Sequence, residues 1–399
     1  MEITESVAAH DNDEKAHPHK TVARASLFTS SALACYYRTI LSGAAYVWLV
    51  FDGISQGRTE FAITTSGREK SEAMCRPLHA ASPLQFSEHI LQATPLTLHI
   101  GPFYSHPLAL AAGGKVKQGC TSAITKQMET IIRSPLVLDF DLPDWDHTHF
   151  RERELTPACS CWQEPIEEQR RRRFCPACWT LFSVGVQLTS LLLESLYPQC
   201  AVLCFFTGGR GYHVHLHLHG NDASLLHTLE RNADLRMRWA NTLEAFLQGG
   251  GITPGKATSS TWMHEFEMAL DLILRRPKGL DLIQQVARLT QGLLSGTHWA
   301  TLPLEERARR MMPPIDAQVT SDMRHLHRMP YSVHSTGYVS VYVPIDEIAS
   351  FSTRSQPVPR LVGDESQNMN HWHESYEKFV RRIAIFYDSR KKECPVETC

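Results

Sequence analysis

Apolar and polar positions along the chain follow two periods, and each predicts a different kind of element. Residues 60–64 (EFAIT), 96–100 (LTLHI) and 136–141 (LVLDFD) are short apolar-rich runs separated by polar segments, which predicts strands. From Trp179, WTLFSVGVQLTSLLLESLY repeats apolar residues at helical spacing and predicts an amphipathic helix. It leads into a strand, AVLCFF, a glycine turn, TGGRG, and a second strand, YHVHLHLH. In that second strand Tyr212, Val214, Leu216 and Leu218 take one face, and His213, His215, His217 and His219 take the other. Residues 221–312 change character: SLLHTLERNADLRMRWANTLEAFL and HEFEMALDLILRR are helical patterns broken by GGGITPGK, so the stretch reads as a helical insertion. Strand character returns in YSVHSTGYVSVYVPI, a predicted hairpin turning at Ser335, Thr336 and Gly337. ALACYYRTILS, beginning near Ser31, predicts the first ordered helix, and HWHESYEKFVRRIAIFY predicts a closing one.

The 399 residues leave room for one large domain with an insertion, or for two domains. A hydrophobic share of 43% and a charged share of 21% are those of a soluble globular protein. The formal charge of −2 excludes a general basic coat for nucleic acid but leaves a local basic groove open. The best candidate for a membrane span, residues 41–51, is too short to cross a bilayer, and the N-terminus lacks a basic region followed by an apolar core. Eleven cysteines without an export signal suggest thiols or metal ligands in a reducing compartment, so an intracellular, soluble protein is expected. Residues 1–25 are polar, dotted with histidine and aperiodic, which predicts a flexible extension. Residues 151–174 are charged. Their run from Arg170 to Arg173, preceded by Glu164, Glu167 and Glu168, is either a solvated loop with local ion pairs or a phosphate-contacting patch.

Within SPLVLDFDLPDWD, strand periodicity points Asp139 and Asp141 to one face and Leu138 and Phe140 to the other. Carboxylates that close repel unless a cation lies between them, and a hard divalent ion such as Mg²⁺ or Mn²⁺ suits oxygen donors. Asp316, in PPIDAQVTSDMRHLHRMPYSVH, is the candidate third carboxylate. A lone D-x-D also occurs in nucleotide-sugar transferases that hold Mn²⁺. In FFTGGRGYHVH, glycines let backbone N–H groups approach phosphate oxygens, and Arg210 adds a permanently charged fork of donors. His213, beside the turn, is the histidine best placed to touch a triphosphate. The four histidines of this strand are spread too far apart to hold one zinc ion. Cys159, Cys161, Cys175 and Cys178 form C-x-C followed by C-x-x-C, a spacing that can close a tetrahedral structural zinc site.

LVLDFDLPDWD, the cysteine cluster, TGGRGYHVH and IDAQVTSDMRHLHRMPYSVHSTGYVSVYVPID, in that order, resemble the small catalytic subunit of archaeo-eukaryotic DNA primase. The resemblance covers about residues 31–390 and is weakest in the helical insertion. It implies an α/β (α+β) fold with a mixed central β-sheet, a structural zinc module at about 155–180 and an α-helical insertion subdomain at 221–312. The catalytic domain would span 26–220 and 313–390, and 391–399 would be a tail. Carried over by position, Asp139, Asp141 and Asp316 are the catalytic, metal-holding carboxylates, and Thr207, Arg210 and His213 contact nucleotide phosphates. Arg328 and His334 fall where the family has a basic residue and a histidine near the triphosphate. Zinc on the four cysteines is implied in the same way. Thr207 replaces the family's usual Ser, Gly209 stands where some relatives carry a second arginine, and the arginine preceding Glu60 is displaced by one position to Arg58.

The activity so implied is synthesis of short RNA primers from ribonucleoside triphosphates on single-stranded DNA. Mg²⁺ or Mn²⁺ would be the catalytic ion. A primase large subunit and the replicative DNA polymerase alpha complex would be partners, no membrane would be involved, and the location would be nuclear. Two other activities share the motifs: a primase-polymerase of repair or damage tolerance preferring deoxynucleotides, and a catalytically inactive subunit that binds nucleic acid or a partner.

Overall fold

The computed structural model describes residues 33–38, 58–66, 72–78, 80, 82–105, 131–142, 176–217, 225–249, 256–290, 301–333, 339–351 and 375–382. Its strands are β1 (Thr59–Ser66), β2 (Glu72–Leu78), β3 (Thr97–Tyr104), β4 (Ile131–Arg133), β5 (Leu136–Asp141), β6 (Ala201–Phe206), β7 (Gly211–His217), β8 (His327–Arg328) and β9 (Val341–Val343). Its helices are α1 (Pro83–Ala93), α2 (Pro176–Leu196), α3 (Leu225–Arg231), α4 (Ala233–Leu247), α5 (Ser260–Leu274), α6 (Pro277–Thr290), α7 (Leu304–Met311) and α8 (Ala317–Ser321). Two sheets result, one ordered β2-β1-β3-β4 with β8 also on β3, and one ordered β5-β7-β6-β9.

The predicted mixed sheet is not what forms: every described ladder is antiparallel. The reason lies in the TGGRG turn, which makes β6 and β7 an antiparallel pair and slots β7 between β6 and β5. Strands β5 and β6 do run the same way, but α2 carries the chain over β7 between them, so the two never pair directly.

Side-chain parity explains the layering. Phe140, Leu138 and Leu136 lie opposite Tyr212, Val214 and Leu216, and these lie opposite Phe206, Cys204 and Val202. All of them are buried. The aromatic end of this face is covered by α2, with Trp179 and Phe182 stacked on Tyr212 at 5.3 and 5.8 Å between ring centroids. Ser183 Oγ and the Tyr212 hydroxyl lie 3.0 Å apart, which satisfies a buried polar atom. Strand β6 is apolar throughout because both its faces are covered: Phe205, on the opposite face, packs edge-on to Phe379 and His215. On its other side α2 meets α5, α6 and α7, the helices of the 221–312 stretch.

Helix α2 corrects the expectation that no apolar run could span a bilayer. Cys178–Leu196 is long and apolar enough by length and composition, yet 72% of it is buried inside the protein. Here it is the central core helix, held near its start by Trp179 Nε1 donating to Phe351 O (2.8 Å) and at its middle by Gln187 Oε1 accepting from Ala349 N–H (2.9 Å).

Several expectations lie outside the described residues: the extension at 1–25, the tail at 391–399, Cys159, Cys161, Cys175, His219, His334 and the turn at Ser335–Gly337. Cys178 is buried in the first turns of α2. On either side of the predicted turn, Val333 and Val339 form an antiparallel bridge. Helical residues 33–38 dock far along the chain, with the Tyr36 hydroxyl donating to Tyr331 O at 2.6 Å. Tyr331 is fully buried and held at φ 60°, a left-handed conformation that disfavours bulky residues. Tyr36→Phe leaves that carbonyl without its donor, so the urea midpoint should fall by an amount equivalent to about 1–3 kcal/mol with an unchanged m-value. An unaltered midpoint would show that the bond contributes nothing.

Candidate active site

The face of β5 and β7 turned away from α2 looks toward the first sheet, and the polar residues of the motifs collect in this seam. The antiparallel register sets Asp139 opposite His213 and Asp141 opposite Gly211. Directly opposed residues share a face, so the period-two argument for the aspartates extends across strands. A side chain at position 211 would run into the Phe140 carbonyl and approach Asp141 Oδ1 to 2.8 Å, so glycine is required there. In the turn, Gly208 takes φ 78°, Thr207 N–H donates to Gly211 O at 3.0 Å, and Gly209 N–H donates to Thr207 Oγ1 at 3.3 Å. Leu142 N–H donates to Arg210 O at 3.1 Å, which ties the turn to the end of the aspartate strand.

Arg328 enters from β8, whose partner β3 belongs to the other sheet. Its Nη1 donates to Thr207 O at 2.9 Å, so it joins the two sheets at the turn. Burial lowers its pKa, while Asp139 and Asp141 pull it back up. Asp141 is raised above the ordinary carboxylate value by burial, is pulled down by Arg210 and Arg328, and is pushed up again by Asp316. Two guanidinium N–H groups, Arg210 Nη1 and Arg328 Nε, are buried with no hydrogen-bond partner among the described residues. Such donors suit phosphate oxygens.

His213 Nε2 lies 3.5 Å from Asp139 Oδ1, beyond hydrogen-bond length. Burial first, then the neighbouring His215, Arg328, His325 and His99, hold its pKa well below the usual histidine value, so the ring is neutral. Asp316 sits beside the same strand, its backbone N–H donating to Asp139 O at 3.1 Å. Its carboxylate caps α8, with Oδ1 accepting from Val319 N–H at 2.9 Å.

Among the described residues no group of three or more His, Cys, Asp or Glu side chains is gathered as a metal cage. The donor chemistry nonetheless fits Mg²⁺ or Mn²⁺. Asp139 and Asp141 project from one rigid strand face, and Asp139 is 27% exposed. Mg²⁺ commonly takes one or two carboxylates and completes its shell with water and substrate phosphates, without an all-protein cage. Glu60, from the EFAI motif, is committed elsewhere, accepting from Arg76 Nε and from the Tyr104 hydroxyl, each at 2.9 Å.

Sequence reasoning assigned no role to His99, His325 or His327, which join His213 and His215 in the seam. Thr97 Oγ1 and His99 Nε2 are 2.9 Å apart, and the His325 and His327 rings are 4.9 Å apart. It also missed Arg236, although the signal was present: position 236 falls on the apolar stripe of its helix with Trp239, Ala240 and Leu243.

Burial, then the charge of His217, lowers His215 to about 3. A ring that stays neutral when folded but protonates near 6.5 when unfolded binds fewer protons in the folded state. Its contribution to stability is therefore complete above about pH 6.5 and is lost as pH falls toward 3. Between neutral pH and pH 5 this one group should cost about 2 kcal/mol. His215→Leu should flatten the pH dependence of the urea midpoint by that amount. Equal slopes in the two proteins would refute the assignment.

Residues 167–347 match the family model described as DNA primase small subunit. A solved structure similar to the chain, the polymerase domain from Mycobacterium tuberculosis Ligase D in complex with DNA, aligns over 89% of both chains at 10% identity with a TM-score of 0.34, too loose a likeness to carry an argument. The matched segment holds the glycine turn, His213, Asp316 and Arg328, while β5 with Asp139 and Asp141 lies upstream of it. Residues 167–347, a little under half of the chain, are thus similar to the DNA primase small subunit family.

Proposed function

We propose that the chain is the catalytic small subunit of a primase, joining ribonucleoside triphosphates into short RNA primers on a single-stranded DNA template. The observation that carries the reading is the meeting of the Asp139–Asp141 face with Arg210 and Arg328, of which Arg210 Nη1 and Arg328 Nε are buried without a hydrogen-bond partner among the described residues. Asp139 and Asp141, joined by Asp316, would hold Mg²⁺ or Mn²⁺. When bound, the ion would lower the pKa of the attacking 3′-hydroxyl and offset charge on the triphosphate. Arg210 and Arg328 would orient the triphosphate and stabilise the charge that shifts toward the leaving pyrophosphate. Thr207 would hold the glycine turn against those phosphates, and neutral His213 would offer a ring nitrogen without adding charge beside Asp139. His334 is assigned to the triphosphate on the family resemblance alone. The same proposal includes zinc on Cys159, Cys161, Cys175 and Cys178, a large primase subunit and the polymerase alpha complex as partners, and a nuclear location.

Asp139→Asn should abolish nucleotide incorporation on single-stranded DNA while the melting temperature stays within a few degrees of wild type, because the residue is only half-buried. Continued synthesis by that variant would remove the central assignment. Arg210→Ala should raise the KM for nucleotide by at least about tenfold, since a charge-assisted phosphate contact contributes roughly 1.5–3 kcal/mol. A wild-type KM would take Arg210 out of the triphosphate site. Running both assays with ribo- and deoxyribonucleotides separates primer synthesis from a deoxynucleotide-preferring activity.

A further inference from the structure

Arg236 is fully buried on α4, within the helical stretch. Among the described residues it forms no ion pair with a carboxylate. It donates instead to backbone carbonyls: Nε to Thr320 O at 2.6 Å, Nη1 to Ser134 O at 3.0 Å and Nη2 to Pro135 O at 2.6 Å. Met323 Sδ lies 3.7 Å from Nη1. Burial lowers its pKa to about 10, with Glu230 and Asp322 pulling upward, so the guanidinium is charged at neutral pH.

Those carbonyls belong to the two segments that carry the aspartates. Ser134 and Pro135 lead directly into β5, and Ser134 N–H is held by Glu230 O of α3 at 2.9 Å. Thr320 N–H closes the turn begun at Asp316, donating to Asp316 O at 2.9 Å. Asp316 N–H in turn bonds Asp139 O. One planar fork therefore closes a loop of bonds through the entry to β5, Asp139, Asp316 and α8. Burying a cation without a counter-charge costs several kcal/mol, and an apolar side chain would fill the space without that cost. What an apolar side chain could not do is grip three carbonyls from two segments at set angles.

We propose that Arg236 is a positioning residue for the catalytic centre: it fixes β5 and its Asp139–Asp141 pair relative to the Asp316 turn, so the helical stretch sets the geometry at which the carboxylates meet. This rests on the proposed nucleotidyl-transfer reading of the site.

The test uses the full chain with Arg236→Lys, which keeps the charge and three donors but loses the fork. The expected result is a fall in kcat on the order of 10- to 100-fold, with the KM for nucleotide within about twofold of wild type. Amide hydrogen exchange should accelerate together in residues 136–141 and 316–322 while β6 keeps its protection. A folded variant with wild-type kcat and wild-type exchange in both segments overturns the proposal. Should the variant not fold, native-state exchange of the wild-type chain decides: the amides of β5 and of Asp316 should open with one shared free energy and denaturant dependence, and two separate openings overturn the coupling. If the wild-type chain incorporates no nucleotide, the functional reading falls and takes this inference with it. Activity in the wild type with no change in Arg236→Lys removes the inference alone.

Discussion

The seam exists because β5 and β7 pair in one register, Asp139 against His213 and Asp141 against Gly211. A slip of one residue would turn both carboxylates under α2, among Trp179, Phe182 and Tyr212, and would bring Leu138 and Phe140 out. The cost of desolvating carboxylates there, several kcal/mol each, far exceeds the difference between alternative strand pairings. Gly211 reinforces the choice, since only a residue without a side chain tolerates the nearby Phe140 carbonyl. The apolar parity of three strands thus decides where the acidic groups stand.

Within the seam, charge is sparse. Arg328 lies beside Asp139 and Asp141, Arg210 lies beside Asp141, and the histidines between the sheets are held neutral by burial, His99 down to about 4. Neutral rings keep the space polar without competing for the carboxylates, leaving the two arginines as the cations that Asp141 feels. The proposed site for polyphosphate and a divalent ion would need that balance, because surplus fixed positive charge would neutralise the carboxylates before a cation arrived.

Much of this was legible in the chain. LVLDFD and AVLCFF become β5 and β6 at the predicted bounds, because apolar runs of that length have few alternatives beside a long core helix. The D-x-D parity and the glycine turn follow from local rules as well. Three features escaped. The antiparallel order depends on β7 slotting between β5 and β6, a long-range pairing that no local period encodes. Asp316 capping α8 depends on side-chain rotation, which spacing does not report. Arg236 was passed over because an arginine on an apolar stripe is ordinarily read as a stem reaching for solvent, whereas here the guanidinium ends on carbonyls.

The bond from Tyr36 to Tyr331 links positions 295 residues apart. On a ribosome adding roughly 5–20 residues per second, the early tyrosine waits about 15–60 s for its acceptor to be made. For more than half of that interval the aspartate strand is already synthesised while Asp316 is not, so the nascent chain cannot yet bring the three carboxylates of the proposed site together. Assembly of this site is therefore an event of late translation, and the apolar faces of β5 to β7 depend on α2, or on a chaperone, for cover until then.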